Sequence, residues 1–444
     1  MEIKELLLNK ILNRRAVLGV VGLGYVGLPL AVEKAKAGFE VIGFDIQDSK
    51  VDALNAGHNY IGDVVDEDLS ALVTSGKLSA SSDFKRVASA DIITLCVPTP
   101  LDEHDEPDLS YVLSSAASVG KYLTQGSVAI LESTTYPGTT EGILKQTLEE
   151  ASGLICGTDF YLGFSPERVD PGNKHYNTHN TPKVVGAIGE DALEVIATLY
   201  EQIIDGEVVR VSSPQVAEME KLLENTYRNI NIALVNEVAK LCNRMGIDSW
   251  EVIDAAKTKP YGFQAFYPSS GVGGHCIPLD PKYLEYRAKD FDFDTTMISS
   301  AFAINRSMPA YCIKRFEDAL SSRNIKLDGA KTLVLGVAYK PDVDDSRESP
   351  AKELITLLES RGAQVSYFDP YISEFALSPE RKIFSLKSFD ECISLAFDAC
   401  FINTAHSGLD YPTLISKLPY TFDASGISRR LNLDAGMQKK VERL

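Results

Sequence analysis

The stretch that decides the fold is AVLGVVGLGYVGLPLAVEKAKAGFEVIGFD, residues 16–45. An apolar run leads into the glycine turn GLGYVG, a helical pattern follows, and a second apolar run ends at Asp45. A strand, a GxGxxG turn, a helix and an acidic strand end, in this order, are typical of a dinucleotide-binding Rossmann unit. Gly24 lets the backbone approach a pyrophosphate at the helix N-terminus. The predicted cofactor-binding residues of this stretch are Gly22, Gly24, Tyr25, Val26, Gly27 and Asp45.

The acidic end of the second run indicates which dinucleotide is bound. The Asp45 side chain can bond both ribose hydroxyls of NAD, and it repels the 2′-phosphate of NADP. We therefore predict NAD as the cofactor. The alternative is a glycine-rich turn between strand and helix that binds no ligand, and the complete fingerprint argues against it.

Apolar runs and helical patterns continue to alternate up to Ser212. The runs AVLGVVG, FEVIGFD, DIITLCV, SVAILES, FYLGFSP and PKVVGAI predict the strands of a mostly parallel sheet. A long helix is predicted from Pro214 to Met245, with Ser213 as its cap and Gly246 at its end. At the other end of this region, Ile3, Leu6, Leu7 and Ile11 have the spacing of a short amphipathic helix that docks on the domain.

A second alternation of strands and helices begins at Lys331. KTLVLGVAY, AQVSYFDP and DACFINTA are predicted strands, and a helix is predicted with Ser349 as cap, Pro350 in its first turn and Gly362 at its end. The prediction is an α/β protein with two Rossmann-like domains, each with a parallel sheet, joined by a long central helix and a helical middle domain. The predicted domains are residues 1–212 for NAD, residues 213–325 for the helical part with a cysteine loop, and residues 326–444 for the second Rossmann-like domain.

The bulk composition restricts the function. The chain has 444 residues, 44% hydrophobic and 24% charged, and this is typical of a soluble protein of several domains. A net charge of −18 argues against binding to nucleic acid or to an anionic membrane. Seven cysteines without a CxxC pattern and six histidines without metal-ligand spacing predict neither disulfides nor a metal site. The apolar run after Arg15 resembles a signal peptide but is short and interrupted by glycines, so we predict a cytoplasmic protein.

The loop SGVGGHCIPLDP, residues 270–281, holds a cysteine among glycines and prolines. Such a loop positions the Cys276 thiol, although a tight turn with an incidental cysteine is the alternative. Asp280 adds a carboxylate that can transfer protons. A thiol and bound NAD favour oxidation of an alcohol to an aldehyde, capture of the aldehyde as a thiohemiacetal, a second oxidation to a thioester, and hydrolysis to an acid. We expect the glycines of the loop to let substrate and nicotinamide approach the thiol.

The long helix carries Lys221, Asn225 and Arg228 at a spacing that places them on one face. A lysine and an asparagine on one face suit an alkoxide or carbonyl oxygen. A solvated polar face is the alternative, and the helix alone does not decide between them.

The whole set of motifs resembles the nucleotide-sugar 6-dehydrogenases, which make sugar acids from UDP-sugars with two NAD. The resemblance covers nearly the whole chain and rests on GLGYVGLPLA, ESTTYPGT, SPERV, EKLLENTYRNINIALVNE, GVGGHCIPLDP and GVAYKPDVDDSRESPA. The cysteine loop is most similar to the branch that acts on UDP-N-acetylglucosamine or UDP-N-acetylmannosamine. His275 and Leu279 stand where the UDP-glucose branch usually has serine and lysine. That branch also has an arginine from the neighbouring subunit, and this chain has none between Arg244 and Arg287.

The resemblance also implies roles for single residues. Cys276 would be the nucleophile, Lys221 and Asn225 would stabilise the oxyanion, and Asp280 would organise the catalytic water. Thr134 and Glu167 match residues implicated in water activation and hydrolysis. The implied substrate-binding residues are Glu167, Arg168, Lys221, Asn225, Arg228, Gly273, His275 and Lys340, and the further implied cofactor contacts are Thr134 and Arg347.

Three functions follow as hypotheses. The favoured one is four-electron oxidation of a UDP-N-acetylhexosamine, UDP-N-acetylglucosamine first, to the uronic acid for surface polysaccharide precursors. UDP-N-acetylmannosamine and UDP-glucose are the alternative substrates. The second hypothesis is a two-electron hydroxy-acid dehydrogenase, which needs no thiol, and the third is a nucleotide-sugar-binding or NAD-binding protein without activity. The resemblance implies a homodimer or a higher homo-oligomer.

Overall fold

The computed structural model describes residues 3–62, 64–170, 173 and 175–444. The chain divides into two compact units, one made of residues 1–224 with 282–292 and the other of residues 225–281 with 293–444. Each unit contains a Rossmann-like sheet, mostly parallel in the first unit and parallel throughout in the second, and helices form the region between the two sheets in sequence. The predicted fold class is confirmed.

The first unit is built on a sheet of eight strands. These are β1 (Val17–Val21), β2 (Glu40–Phe44), β3 (Leu78–Ser81), β4 (Ile92–Leu95), β5 (Val128–Leu131), β6 (Tyr161–Phe164), β7 (Lys183–Ala187) and β8 (Val208–Arg210). Their order is β3-β2-β1-β4-β5-β6-β7-β8. Every neighbouring pair is parallel except β6 and β7, so the chain reverses its direction at β7.

Helices flank this sheet, and its central strands are buried. Strands β4 to β7 are buried along their whole length, as expected for a parallel sheet covered on both faces. The helices are α1 (Ile3–Leu12), α2 (Gly27–Lys36), α3 (Asp48–Asn55), α4 (Asp66–Thr74), α5 (Ser110–Gly120), α6 (Lys145–Ser152) and α7 (Glu190–Glu201). Leu7 and Ile11 of α1 are buried as predicted, whereas Leu6 is 44% exposed. The prediction for Leu6 is wrong. Leu6 lies about 100° around the helix from Leu7, outside the narrow face of α1 that packs against the domain.

The long helix α8 (Pro214–Met245) has 32 residues and contributes to both units. Its bounds match the prediction. The N–H of Val216 donates to Oγ of Ser213 at 3.4 Å, and Gly246 follows the helix with φ of +71°. The next helices are α9 (Ser249–Ala256), α10 (Asp280–Ala288), α11 (Thr296–Arg306) and α12 (Met308–Ser322).

The second unit contains a five-stranded parallel sheet and a separate antiparallel hairpin. The sheet order is β10-β9-β13-β14-β15, formed by β9 (Lys331–Leu335), β10 (Gln364–Phe368), β13 (Ala399–Ile402), β14 (Thr421–Asp423) and β15 (Val441–Arg443). The hairpin joins β11 (Glu374–Ser378) to β12 (Arg381–Phe384). The helices are α13 (Ala351–Ser360), α14 (Phe389–Ser394), α15 (Tyr411–Lys417) and α16 (Ala435–Gln438).

The start of α13 differs from the prediction by one residue. The helix begins at Ala351, and Pro350 occupies the cap position rather than the first turn. Ser349 still serves the helix start, because its Oγ accepts a hydrogen bond from the N–H of Ala351 at 3.3 Å.

Two further findings concern the described part of the chain. None of its helices has the length and apolar character needed to cross a membrane. Its His, Cys, Asp and Glu side chains form no group of three or more that could hold a metal ion.

Candidate active site

The glycine turn of the first unit has the geometry that a dinucleotide requires. Gly22 has φ of +89°, in the left-handed region that favours glycine. A Cβ at Gly27 would lie 1.8 Å from the carbonyl oxygen of Gly22, whereas a Cβ at Gly24 would meet no described atom within 4 Å. Tyr25 is 48% exposed, and Val26 directly precedes α2. The open space at Gly24, beside the N-terminus of α2, fits the pyrophosphate of NAD.

Asp45 lies at the end of β2 and is buried. Its Oδ2 accepts a hydrogen bond from the N–H of Leu23 at 2.9 Å, and its Oδ1 accepts one from the N–H of Gln47 at 2.9 Å. Nζ of Lys50 lies 3.5 Å from Oδ2. The carboxylate therefore fixes the glycine turn to the sheet, a second role that the sequence did not reveal.

Two candidate residues follow neighbouring strands of the first sheet. Thr134 comes after β5 and Glu167 comes after β6, and both are half-buried. Oγ of Ser133 donates to the carbonyl oxygen of Val97 at 2.7 Å, and Oε1 of Glu167 accepts from the N–H of Val169 at 2.7 Å. Because β5 and β6 are parallel neighbours, both segments leave the sheet at its carboxyl edge, where α/β proteins bind their ligands.

The polar face of α8 is largely buried. Lys221 is 8% exposed and Asn225 is 6% exposed, so the alternative of a solvated face is wrong for these two residues. Arg228 is exposed. Nζ of Lys221 donates to the carbonyl oxygen of Glu167, and this contact brings two of the candidate residues together.

Arg168 is tied to the carboxylates of α8. Its guanidinium forms an ion pair with Glu224, lies 3.4 Å from Oε1 of Glu220, and donates to the carbonyl oxygen of Pro182 at 3.0 Å. Burial and the neighbouring charge of Glu224 raise the pKa of Glu220 to about 7. Burial alone would raise the pKa of Glu224 as well, but the hydrogen bonds from Arg168 and Glu220 outweigh it and lower that pKa. A substrate contact for Arg168 stays a prediction.

In the second unit, the amide of Asn225 is joined to the acid of the cysteine loop. Nδ2 of Asn225 donates to Oδ2 of Asp280 at 2.6 Å, and Asp280 is 2% exposed. The N–H groups of Asp280 and Leu279 donate to the carbonyl oxygen of Cys276, at 2.8 and 3.2 Å. Cys276 is half-buried and precedes α10, and these bonds hold its backbone, while a catalytic role for its thiol stays a prediction.

A row of buried asparagines holds the same loop, and sequence reasoning missed it. Nδ2 of Asn229 donates to the carbonyl oxygen of Ile277 at 3.0 Å, and Oδ1 of Asn236 accepts from the N–H of Ser269 at 2.9 Å. Asn305 bonds to both asparagines. The signal was the spacing of Asn229 and Asn236 with Asn225, which places all three on one face of α8.

The glycines of the cysteine loop make room for protein rather than for ligand. A Cβ at Gly271 would lie 2.8 Å from Pro350, and a Cβ at Gly273 or Gly274 would lie 2.9 Å from Tyr339. Gly274 also has φ of +86°. The expectation that these glycines admit substrate and nicotinamide is therefore wrong for the positions that their missing side chains would occupy, because residues 339–350 fill that space.

Residues 339–350 carry two further candidates. Lys340 is half-buried, and Nε of Arg347 donates to Oδ1 of Asp345 at 2.9 Å. Burial opposes the charge of Asp345, but the bonds from Arg347 outweigh it and lower the pKa of Asp345. The N–H of Gly274 donates to the carbonyl oxygen of Arg347 at 3.1 Å, so this segment is joined to the cysteine loop beside the half-buried His275.

The fold and the glycine turn together are those of a protein that binds NAD. The family is shown by three matches, to the NAD binding domain (residues 16–204), the central domain (residues 215–307) and the UDP binding domain (residues 333–430) of the UDP-glucose/GDP-mannose dehydrogenase family. The chain belongs to this family. The resemblance drawn from the sequence and the NAD prediction are confirmed.

Similar proteins within the family include dehydrogenases of UDP-N-acetylhexosamines. The UDP-N-acetyl-D-glucosamine 6-dehydrogenase of Pseudomonas aeruginosa is 38% identical over 366 residues, which cover 81% of this chain and 85% of that protein. The UDP-N-acetyl-D-mannosamine dehydrogenase of Pyrococcus horikoshii is 37% identical over 356 residues, covering 80% and 84%. The solved structure of the UDP-D-ManNAc dehydrogenase of Pyrococcus horikoshii has a TM-score of 0.84 at 34% identity and covers 92% of this chain and 95% of its own.

Proposed function

We propose that this chain oxidises the C6 hydroxyl of a UDP-N-acetylhexosamine to the carboxylate, with Cys276 as the covalent nucleophile. The observation that carries the proposal is the cysteine loop, in which Asp280 is both hydrogen-bonded to Asn225 and linked through its backbone to Cys276. The mechanism of a two-electron dehydrogenase does not require a cysteine at this position. A protein without activity does not require the buried Asp280 that follows it.

The reaction balances with water as the second reactant. One primary alcohol, two NAD⁺ and one water give one carboxylate, two NADH and three protons. NAD, when bound, accepts a hydride from the carbon at position 6 in each oxidation. The Cys276 thiolate adds to the aldehyde between the two oxidations, and the resulting thiohemiacetal becomes a thioester. Water then attacks the thioester carbonyl, the C–S bond breaks, and the thiolate of Cys276 is regenerated.

The other candidate residues support these steps in distinct ways. Lys221 and Asn225 stabilise the oxyanion, because an ammonium and an amide N–H are donors suited to developing negative charge. Asp280, with Glu167 and Thr134, directs the water that cleaves the thioester. Lys340 binds the substrate diphosphate and Arg347 contacts NAD. We also propose residues 1–212, 213–325 and 326–444 as the NAD-binding, central and UDP-sugar-binding domains, in line with the order of the three family matches.

The substrate we propose first is UDP-N-acetylglucosamine, with UDP-N-acetylmannosamine as the alternative. The named relatives that act on the gluco and manno sugars are 38% and 37% identical to this chain, so identity does not choose between them. The orientation of a single hydroxyl is read by the shape of the pocket. A cytoplasmic location stays a prediction.

The test is a panel of UDP-N-acetylglucosamine, UDP-N-acetylmannosamine and UDP-glucose, each with NAD and the purified chain. We expect two NADH for each N-acetylhexosamine consumed and a uronic acid in the mass spectrum of the product. One NADH with an aldehyde product would refute the thioester mechanism. Oxidation of UDP-glucose alone would move the chain to the other branch.

We also propose that the active form is a homodimer or higher homo-oligomer that contacts its partner through α8. Opposite its buried polar face, this helix has an exposed apolar stripe whose residues lie nearly in one line along the helix. The stripe consists of Val216, Met219, Leu223, Tyr227, Leu234, Leu241 and Met245, which are 41–62% exposed. Leu234→Lys should lower the mass measured by light scattering, whereas Glu67→Lys, at an exposed position of α4, should not. A monomeric wild-type chain would overturn this proposal.

A further inference from the structure

A buried ion pair in the first unit joins the two segments that carry Thr134 and Glu167. Nζ of Lys183 lies 2.8 Å from Oε2 of Glu132 and donates to the carbonyl oxygen of Pro166 at 3.3 Å. Glu132 and Lys183 are 1% and 8% exposed. Glu132 is itself the residue two before Thr134, and Lys183 contacts Pro166, the residue directly before Glu167.

The second oxygen of the Glu132 carboxylate is also engaged. The hydroxyl of Tyr200, a fully buried residue of α7, donates to Oε1 of Glu132. Nζ of Lys183 lies 5.0 Å from the centre of the Tyr200 ring. Burial opposes the charge of Lys183, but the charge of Glu132 outweighs it and raises the pKa of Lys183. Burial and Glu132 raise the pKa of Tyr200, so Lys183 keeps its charge and the phenol stays neutral at neutral pH.

The reversal of the chain at β7 explains how Lys183 reaches this place. Since β7 is antiparallel to β6, the first residue of β7 lies beside the segment that follows the carboxyl end of β6. Glu132 directly follows β5, the parallel neighbour of β6. One lysine side chain can therefore bond to both segments at the edge of the sheet.

Stability alone does not account for this arrangement. Burying two charges costs more than burying apolar side chains of the same size, and apolar replacements of buried ion pairs are often neutral or stabilising. An ion pair differs from an apolar contact in that it fixes direction as well as distance. Here it fixes the segment of Thr134 relative to that of Glu167.

A second lysine acts on the next peptide of the same segment. Lys183 bonds to the carbonyl oxygen of Pro166, and Lys221 bonds to the carbonyl oxygen of Glu167. The backbone on both sides of the Glu167 Cα is therefore held by an ammonium group. The backbone that carries the Glu167 side chain therefore has little freedom to turn unless one of these bonds is lost.

We propose that Lys183 and Glu132 are positioning residues that orient Glu167 and Thr134 for hydrolysis of the Cys276 thioester. This inference rests on the proposed function. It assigns the pair to the hydrolytic step, because the pair contacts the segments of the water-directing residues.

The test compares the first turnover with the steady state in the full chain. The variant Glu132→Gln/Lys183→Met removes both charges together, so neither charge is left buried alone. We expect NADH still to form rapidly in the first turnover, and the steady-state rate to fall roughly 10- to 100-fold, as a small misplacement of catalytic groups does. KM for the UDP-sugar should change little. Intact-protein mass spectrometry should show the acyl group accumulating on Cys276.

Lys10→Met provides the matched control. Lys10 is half-buried in the same unit, and its Nζ pairs with Oδ1 of Asp91 at 2.6 Å, away from Glu132 and Lys183. This variant should keep the wild-type ratio of first-turnover rate to steady-state rate. Equal loss of both rates in the two variants would show a general structural role and overturn the proposal. A wild-type steady-state rate in the folded double variant would overturn it as well.

Tyr200→Phe serves if the double variant does not fold. It keeps the ring and removes only the hydrogen bond to Glu132, so we expect a smaller fall of the steady-state rate with the first turnover unchanged. An unchanged steady-state rate would then overturn the proposal. If the wild-type chain forms no NADH with any UDP-sugar, the proposed function fails and this inference fails with it. If the wild-type chain forms two NADH, the proposed function holds, and the variants then test the inference alone.

Discussion

Asn225 and Asp280 form a buried hydrogen bond of 2.6 Å between the long helix α8 and the loop of Cys276. The bond fixes one oxygen of the Asp280 carboxylate toward the helix. Asp280→Asn keeps the size of the side chain, but it sets two amides against each other and removes the only negative charge of this pair. We expect turnover to fall on the order of a hundredfold, the loss typical for a group engaged in proton transfer.

The control for this variant is Asp290→Asn, in which the altered side chain is exposed and pairs with Arg287. Its turnover should match that of the wild type. Circular dichroism should show both variants folded. A folded Asp280→Asn variant with wild-type turnover would remove Asp280 from the mechanism.

Cys276→Ser tests the nucleophile directly. A hydroxyl is a weaker nucleophile than a thiolate, and an oxygen ester formed at position 276 would hydrolyse slowly. We expect net formation of the uronic acid to stop, and the added mass of an acyl group can be sought on the intact protein. Cys156→Ser is the matched control, because burial raises the pKa of the Cys156 thiol to about 11 and leaves it unreactive. Uronic acid at the wild-type rate from Cys276→Ser would make the loop cysteine a bystander.

Lys221→Ala tests the oxyanion donor. Loss of one such donor costs about a hundredfold in turnover in other enzymes, and we expect the same order here. The variant also frees the carbonyl oxygen of Glu167, so its melting temperature is measured beside its rate. Lys314→Ala alters an exposed lysine and should leave both quantities unchanged. A fully active Lys221→Ala variant would show that this buried ammonium serves structure only.

Local patterns carried much of the fold and the cofactor site. Gly24 and Asp45 were predictable because each depends on a strand, a turn and a helix that are adjacent in sequence. Several short strands could not be predicted from the sequence, and the reason is physical. Strand β3 (Leu78–Ser81) has only two apolar side chains in four residues, and the strands at the end of the second sheet are three residues long. Such segments become strands because neighbours offer them hydrogen-bonding edges.

Pairings across the chain could not be predicted in the same way. Asn225 and Asp280 are 55 residues apart, and Glu132 and Lys183 are 51 residues apart. Each residue alone fits a solvated surface, and only the tertiary fold turns it inward. For Lys183 the deciding feature is the reversed direction of β7, which its apolar pattern does not encode.

Asp45→Ala tests the choice of cofactor. We predict that the variant loses the bonds of the carboxylate to the ribose hydroxyls of NAD and the repulsion of the 2′-phosphate of NADP. We expect the Kd for NAD to rise by roughly 10- to 100-fold, the effect of losing a charged hydrogen bond, with a much smaller change for NADP. Because Asp45 also bonds to the N–H of Leu23, part of the loss affects both cofactors equally. The ratio of the two Kd values is therefore the decisive measurement, and Asp48→Ala, at an exposed site on α3, should leave it unchanged.

Glu220 predicts a dependence of stability on pH. Burial and the charge of Glu224 raise the pKa of Glu220 from 4.5 to about 7 in the folded chain. Between these two values the unfolded chain has lost the proton and the folded chain still holds it, so the unfolded state binds fewer protons. Stability from this group is therefore complete below pH 4.5 and is lost as the pH rises toward 7.

Glu220→Gln removes this titration while keeping the size of the side chain. Unfolding by urea should show a wild-type midpoint that falls from pH 5 to pH 7.5, and a smaller fall in the variant. The pKa of Glu224 is lowered, so its effect on stability falls below pH 4.5 and outside the range from pH 5 to pH 7.5. Glu237→Gln, at an exposed position of the same helix, should reproduce the wild-type profile. Parallel profiles for wild type and Glu220→Gln would mean that Glu220 is ionised in the folded chain, with Arg168 rather than a proton balancing the two carboxylates.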